Sequence, residues 1–202
     1  MQELKNKIRN REAGILDDQG LFEHAVLIPL ISYNNKISLL FEVRSHHLKG
    51  QPGEICFPGG HTEKKDGSPK ETALRETGEE LGIDKSDIEV WGPLDILITP
   101  HQLKIHPFVG YIRDDKKIAP DPSEVKEVFF APLEFFLNVK PVVCLVNVVL
   151  QPESDFPFHL VPNGKDYDWK KGQYPVYFYH YGNYLIWGLT ARILHHFIEV
   201  IR

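Results

Sequence analysis

Residues 75–83 read RETGEELGI and bring three glutamates close together in the chain. In a helix, Glu76, Glu79 and Glu80 stand at i, i+3 and i+4, so their carboxylates share one face. Like charges at this spacing cost roughly a few tenths of a kcal/mol, and a divalent cation, which prefers oxygen ligands, offsets that repulsion. The stretch therefore predicts a helix whose acidic face binds a cation.

The residues around this stretch favour a helix over about 69–81. Ser68 is a good N-cap, Pro69 suits the first helical position, and Glu71 completes a capping box. Gly82 follows the last turn, where a glycine commonly ends a helix. Both ends of the acidic helix are thus predicted from local signals.

Composition describes a globular protein and argues against several classes of partner. The 202 residues, 42% hydrophobic and 25% charged, fit a single domain over 1–202. The net charge of −5 includes no basic run, so we expect no nucleic-acid partner. Cys56 and Cys144 are too far apart for a metal motif and suggest a reducing compartment. Neither a signal peptide nor a membrane-spanning run is evident, so we expect no membrane partner and a cytoplasmic location. An organelle of a eukaryote stays open as the location, and a homodimer stays open as the oligomeric state.

Apolar patterning predicts a mixed β-sheet sandwiched between helices, an α/β/α arrangement. Asn34 and Asn35 form the turn of the first hairpin, because Asn tolerates positive φ. The apolar run 142–150 predicts a buried strand, and helical spacing predicts a packing helix over about 184–201, with Trp187 and Leu189 in the core. Strands are expected at 25–33, 37–43, 88–98, 106–112, 125–130, 142–150 and 176–181.

The acidic helix and the glycines before it resemble the Nudix box, here about residues 59–83. The stretch RETGEELGI matches the second half of that pattern, with Thr77 in place of a larger apolar residue. The first half departs from it: six residues after Gly60 the chain has Asp66 where the pattern has Glu, and Arg75 comes one residue late. The resemblance implies a Nudix-like fold and a metal-dependent hydrolase.

A second resemblance, to the coenzyme A pyrophosphatase subfamily, lies just before the box. It rests on LFEVRS at 40–45, Lys49, Gly53 and FPGG at 57–60. Lys49 is normally Arg in that signature, and Glu42 is commonly Thr. The subfamily implies substrate-binding roles for Arg44, Lys49 and Phe57, and positive charge beside the glycines would favour a phosphate-rich nucleotide.

The Nudix resemblance also implies roles for the acidic residues. Mg²⁺ or Mn²⁺ would be held by the ligands Glu76, Glu79, Glu80 and the Gly59 carbonyl. Arg75, which reaches Glu79 at i+4, would orient the carboxylates. The general base stays open among Glu79, Glu76, Glu124 and Glu127.

Three functions remain to be weighed. The leading hypothesis is a hydrolase that cuts a small nucleotide substrate, coenzyme A or a derivative, into 4′-phosphopantetheine (or its acyl form) and adenosine 3′,5′-bisphosphate. A second is a Nudix hydrolase of another nucleoside diphosphate derivative, such as ADP-ribose, NADH or an oxidised nucleotide. The third, a ligand-sensing module without catalysis, gives no reason for three crowded carboxylates.

Overall fold

The computed structural model describes residues 2–9, 11 and 14–202. The fold begins with an antiparallel hairpin of β1 (Phe22–Tyr33) and β2 (Lys36–Arg44). Asn34 and Asn35 form its turn with φ of 49° and 60°, the left-handed conformation that asparagine tolerates. The predicted hairpin is confirmed.

The hairpin is the centre of a mixed eight-stranded sheet. Its other strands are β3 (Ile55–Cys56), β4 (Gly59–His61), β5 (Ile88–Pro93), β6 (Leu97–Ile98), β7 (Leu103–Ile112) and β8 (Val125–Pro132). The main path runs β3-β2-β1-β7-β5, while β4 also pairs with β1, β6 with β7, and β8 with β2. β1 and β7 are parallel and the other pairs are antiparallel, which confirms the mixed sheet.

Helices cover both faces of this sheet. The helices are α1 (Gln2–Arg9), α2 (Pro69–Leu81), α3 (Leu133–Asn138) and α4 (Gly188–Ile201). Leu81 of α2 packs with Leu27 and Ile31 on one face, whereas α4 packs its Leu194 against Ile28 and its neighbours on the other. Residues 27 and 28 point to opposite faces because side chains alternate along a strand. The predicted α/β/α arrangement is confirmed.

A smaller antiparallel sheet follows the main one, in the order β11-β10-β9. Its strands are β9 (Val142–Val149), β10 (Lys171–Tyr181) and β11 (Tyr184–Trp187). α4 packs on β10 and β11, which attaches this sheet to the body of the protein. The organisation of 1–202 as one domain stays a prediction. Among the helices in the described residues, none has the length and apolar character that a bilayer crossing requires.

The predicted helix over about 184–201 is wrong in its first turn. Residues 184–187 form β11, which pairs with β10, and α4 begins at Gly188, whose φ is 65°. A glycine adopts this left-handed conformation without steric cost, so the chain changes direction between strand and helix at this point. Trp187 is therefore not part of the helix, and it is 41% exposed.

The predicted buried strand over 142–150 forms, but it is not buried. Every residue of β9 is exposed except Val148, which is intermediate. An uninterrupted apolar run is typical of a strand covered on both faces, whereas β9 lies at the edge of its sheet. The apolar pattern thus predicts the strand correctly and its environment wrongly.

Candidate active site

The acidic helix α2 is capped at both ends as the sequence predicts. The Ser68 hydroxyl accepts a hydrogen bond from the Glu71 backbone N–H at 3.3 Å, and Pro69 is the first helical residue. At the other end Gly82 has φ of 64°, and its N–H donates to the Gly78 carbonyl. These caps fix where the helix starts, and therefore which of its residues face the sheet.

The two glycines of β4 let the chain pass very close to α2 and β1. A side chain at Gly59 would clash with the Ala25 carbonyl, and a Cβ at Gly60 would lie 2.5 Å from the Glu76 carboxyl carbon. The Gly59 N–H donates to Glu80 Oε2 at 2.8 Å. The FPGG segment thus holds Glu76 and Glu80 against the sheet edge.

Arg75 forms ion pairs with several carboxylates of the acidic helix and of the loop before it. Its Nε and Nη2 donate to the two oxygens of Asp66, both at 2.9 Å, which makes a bidentate pair. Nη1 lies 3.0 Å from Glu79 Oε2, and Nη2 lies 2.9 Å from Glu76 Oε1. The Arg75 side chain is only 9% exposed. One guanidinium therefore positions three carboxylates, including the Glu79 contact that the i+4 spacing predicts.

The three glutamates of α2 are not equivalent. Glu80 is 4% exposed and the Glu76 side chain 17%, and both line one cleft beside β4. The Glu79 side chain is 59% exposed and pairs with Arg75, and it is not among the residues that line this cleft. The predicted acidic face is therefore divided, with two carboxylates in the cleft and one on its rim.

The cleft has a volume of about 570 Å³. Besides Glu76 and Glu80 it is lined by Glu124, which precedes β8, and by Arg44, at the end of β2. The smaller sheet and α4 add further lining residues, namely Tyr174, Trp187, Leu189, Thr190 and Ile193. A lining with both polar and apolar side chains suits a ligand that has both a charged and an apolar part.

Burial and mutual repulsion raise the pKa values of three carboxyls, two in the cleft and one behind it. Burial raises the pKa of Glu80 to about 8, and the charges of Glu76 and Glu124 act in the same direction. Burial also raises the pKa of Glu76. Behind them, burial and the Glu80 charge raise the pKa of Glu42 well above its usual range. Glu42 Oε1 is buried without a hydrogen-bond partner among the described residues. In the absence of a bound cation, these carboxyls therefore resist ionisation.

The predicted substrate-binding residues lie in three different settings. Arg44 lines the cleft, and its Nε donates to the Gly50 carbonyl at 3.4 Å. Lys49 is exposed and is not among the lining residues. Phe57 touches the cleft but is 3% exposed and stacks on Phe41, with ring centroids 4.9 Å apart. Of the three, Arg44 is the one placed to contact a ligand, whereas Phe57 chiefly anchors the FPGG segment in the core.

The structure also separates the candidate bases. Glu124 is exposed in the cleft beside Glu76 and Glu80. Glu127 lies further along the chain, within β8, and lines a different depression together with Asn183 and Trp187. Of the two candidates outside the acidic helix, Glu124 is therefore the one that shares the cleft with it.

Sequence reasoning missed several residues of the site. The sequence gives Asp66 no role, because the Nudix box has Glu at its position and Arg75 comes one residue late, yet Asp66 is the bidentate partner of Arg75. His24 and His61 line the cleft because β1 and β4 pair them, which no local signal reveals. Trp187 and Leu189, expected in the core, form part of the cleft wall.

The family follows from a match over most of this fold. Residues 22–143, more than half of the chain, match the family model described as NUDIX domain. The chain belongs to the Nudix hydrolase family. That family match spans the main sheet, the acidic helix and Glu124, and stops at the start of β9.

Two relatives of this chain are named as coenzyme A diphosphatases. The mouse (Mus musculus) protein named peroxisomal coenzyme A diphosphatase NUDT7 is 36% identical over 169 residues, covering 84% of this chain and 66% of its own length, just under two thirds. The human (Homo sapiens) mitochondrial coenzyme A diphosphatase NUDT8 is 31% identical over 180 residues, covering 88% of this chain and 68% of its own length. A crystal structure of a MutT/nudix family protein from Enterococcus faecalis aligns with a TM-score of 0.51 at 13% identity, covering 100% of this chain and 69% of that one, which supports the fold.

The donors present suit the divalent cation that a Nudix enzyme implies. Glu76 and Glu80 offer carboxylate oxygens, the ligands that Mg²⁺ and Mn²⁺ prefer. A cation beside them would offset the burial and the repulsion that raise their pKa values. Within the described residues, however, no three His, Cys, Asp or Glu side chains already stand close enough together to hold a metal ion. Of the expected ligands Glu76, Glu79 and Glu80, Glu79 lies outside the cleft lining and pairs with Arg75, and its role as a ligand stays a prediction.

The raised pKa of Glu80 predicts how the metal-free protein responds to pH. Its folded pKa of about 8 lies above the ordinary value of 4.5, so the folded state binds more protons between these values. The contribution of Glu80 to the unfolding free energy is then complete below about pH 4.5 and is lost as pH rises through 8. In excess chelator, the melting temperature should drop by at least about 5 °C between pH 6 and pH 9.

Differential scanning fluorimetry of two variants checks this assignment. Glu80→Gln should flatten the alkaline fall, since an amide does not ionise. Glu79→Gln, on the same helix but 59% exposed, should keep it. An unchanged slope in Glu80→Gln would show that another group causes the pH dependence.

Proposed function

We propose that this Nudix hydrolase cleaves the diphosphate of coenzyme A or a coenzyme A derivative in a reaction that depends on Mg²⁺ or Mn²⁺. The observation that carries the proposal is the meeting of Arg44, from the coenzyme A pyrophosphatase signature, with Glu76 and Glu80 in one cleft. The two relatives named as coenzyme A diphosphatases support it. The products would be 4′-phosphopantetheine, or its acyl form, and adenosine 3′,5′-bisphosphate.

The lining of the cleft matches the two parts of such a substrate. A diphosphate carries negative charge, and Arg44 is a cationic donor for its oxygens. Trp187, Leu189 and Ile193 provide the apolar wall, which suits an adenine ring or a pantetheine arm. The chemistry that a divalent cation would supply here is neutralisation of the phosphate charge and a lower pKa for a water molecule. Glu76 and Glu80 would hold this cation, and Arg75 keeps the carboxylate of Glu76 in place.

Glu124 is the favoured base in this proposal. In the hydrolysis, a water oxygen bonds to one phosphorus while the bond from that phosphorus to the bridging oxygen breaks. The bridging oxygen leaves with the other phosphate, and the base accepts the proton of the attacking water. Glu124 is exposed to the cleft, whereas Glu79 and Glu76 are both engaged by Arg75. The Glu124 carboxylate is therefore the freest of the candidates to contact water.

A substrate panel tests the function. The purified protein is assayed with Mg²⁺ or Mn²⁺ against coenzyme A, dephospho-coenzyme A, ADP-ribose, NADH and nucleoside triphosphates, and products are identified by mass spectrometry. We expect the highest kcat/KM for coenzyme A or an acyl derivative, and reversible loss of activity in EDTA. A clear preference for ADP-ribose or NADH would contradict the substrate, and full activity in EDTA would contradict the cation.

Variants of the two basic signature residues, Arg44 and Lys49, test which part of the substrate each of them contacts. A charge-assisted hydrogen bond to phosphate contributes about 1.5–3 kcal/mol, so Arg44→Ala should lower kcat/KM for coenzyme A roughly tenfold to a hundredfold. Lys49→Ala should have a smaller effect, because Lys49 lies outside the cleft lining. Lys36→Ala is the control, since Lys36 is exposed and pairs with Glu134. An equal loss with dephospho-coenzyme A would assign the Arg44 contact to the diphosphate instead of the 3′-phosphate.

A further inference from the structure

Strand β9 combines an apolar sequence with an exposed position. It reads VVCLVNVV, with Asn147 as its one strongly polar side chain and no charge. Val142, Leu145 and Val149 are each 57–59% exposed, and Val143 and Val146 are 46–48% exposed. Because alternate residues point to opposite faces, both faces of the strand meet solvent. This is the sequence of a strand buried on both sides.

The outer edge of β9 is open as well. Across the described residues, β9 pairs with β10 alone, in an unbroken antiparallel register from Val142 to Val149. Its other side therefore presents a row of backbone N–H and C=O groups. Soluble proteins usually protect such an edge with charges, prolines or bulges. The edge strand β5 has all three, in Glu89, Pro93 and a register shift after Val90, whereas β9 has none within it.

We infer that β9 is a dimerisation strand, which pairs antiparallel with β9 of a second copy of this chain. The result would be a continuous six-stranded sheet in the order β11-β10-β9-β9-β10-β11. Pairing satisfies the open backbone groups of both copies, and two identical antiparallel strands form a closed two-fold contact. Because β9 carries no charge, a second copy of it meets no like-charge repulsion at the shared edge.

Symmetry restricts the register. In a paired sheet, directly opposed residues point their side chains to the same face. A two-fold axis perpendicular to the sheet therefore requires that one residue of β9 pairs with the same residue of the other copy. Val146 at the axis pairs the complete apolar run, with Val142 opposite Leu150 of the other copy. The same register brings Lys140, before the strand, to the end where Glu153 of the other copy follows it. Opposite charges then meet at both ends of the paired strands.

The exposed apolar surface continues beyond the strand itself. It extends from β9 to Leu150, which follows the strand and is 58% exposed. Tyr174, the β10 partner of Val146, lines the cleft, so the interface would also brace the cleft wall.

Sedimentation velocity of the full chain tests whether the protein dimerises through β9. At about 100 µM we expect a particle of twice the 23.3 kDa chain mass, and Val146→Lys should weaken association at least about 100-fold by opposing two charges at the axis. Val200→Lys is the matched control: Val200 is 57% exposed on α4, outside this surface, and the variant should stay dimeric. Circular dichroism checks that both variants are folded. A monomeric wild type, or a dimer that persists in folded Val146→Lys, would overturn the inference.

Cysteine crosslinking tests the register without disrupting the surface. Cα atoms of directly opposed residues lie about 4.5–5.5 Å apart, within disulfide range. Oxidised Val146→Cys in a Cys144→Ser background should therefore run as a dimer on a non-reducing gel. The wild type, which keeps Cys144, is the control, since in this register the two copies of Cys144 lie about 14 Å apart. If the wild type crosslinks through Cys144 and the Val146→Cys variant does not crosslink, the Val146-centred pairing is excluded.

Discussion

Glu80→Gln should lower kcat at least about 100-fold at saturating Mn²⁺, and Glu76→Gln should do the same. Both carboxylates line the cleft, and each substitution removes a negative charge from the proposed cation site. Folding should survive in Glu80→Gln, because the amide oxygen still accepts the hydrogen bond from the Gly59 N–H. The measurement is steady-state kinetics on coenzyme A at several cation concentrations.

Glu79→Gln is the matched control for this prediction. It makes the same chemical change one residue away, but Glu79 is 59% exposed and pairs with Arg75. Its loss in kcat should be at least about tenfold smaller than that of Glu80→Gln. If Glu80→Gln keeps a kcat within about tenfold of wild type, the cation assignment is wrong.

The parts of the site that the sequence predicts are those set by neighbours in the chain. Ser68 and Gly82 cap α2 through residues at most four positions away, so their hydrogen bonds are properties of the local sequence. The contact between Arg75 and Glu79 is likewise fixed by helical spacing. Asn34 and Asn35 form the predicted turn for the same local reason.

What the sequence does not reveal depends on contacts across the fold. The pairing of Arg75 with Asp66 depends on how the loop before α2 folds back, and a one-residue shift in the box conceals it. Trp187 lies in a strand because β10 is available to pair with it, although its apolar spacing also fits a helix. The apolar pattern of β9 indicates that the strand needs cover but not which surface covers it. Glu42 reads as an ordinary strand residue until β3 and β8 enclose it.

Arg75→Met should be the most destabilising single change in the site, with a loss of about 3–5 kcal/mol in unfolding free energy. The guanidinium is 9% exposed and pairs with Asp66, Glu76 and Glu79, so its removal leaves several carboxylates without a counter-charge. Arg75→Lys should be intermediate, because an ammonium cannot form the two parallel bonds to Asp66. Urea unfolding at pH 7 measures the loss.

A double-mutant cycle with Asp66→Asn isolates the bidentate pair. If the pair holds α2 to the loop before it, Arg75→Met and Asp66→Asn together should cost less than the sum of the two single changes, since the second substitution removes a charge that the first has left unpaired. Asp66→Asn should also lower kcat, because Arg75 then positions Glu76 less firmly. The pH dependence of the unfolding free energy gives an independent check. The hydrogen bonds from Arg75 hold the Asp66 pKa far below its usual range. The contribution of the pair to the unfolding free energy is therefore complete above about pH 4 and is lost only in strong acid. Strict additivity of the two substitutions would show that the contact between Asp66 and Arg75 does not stabilise the site.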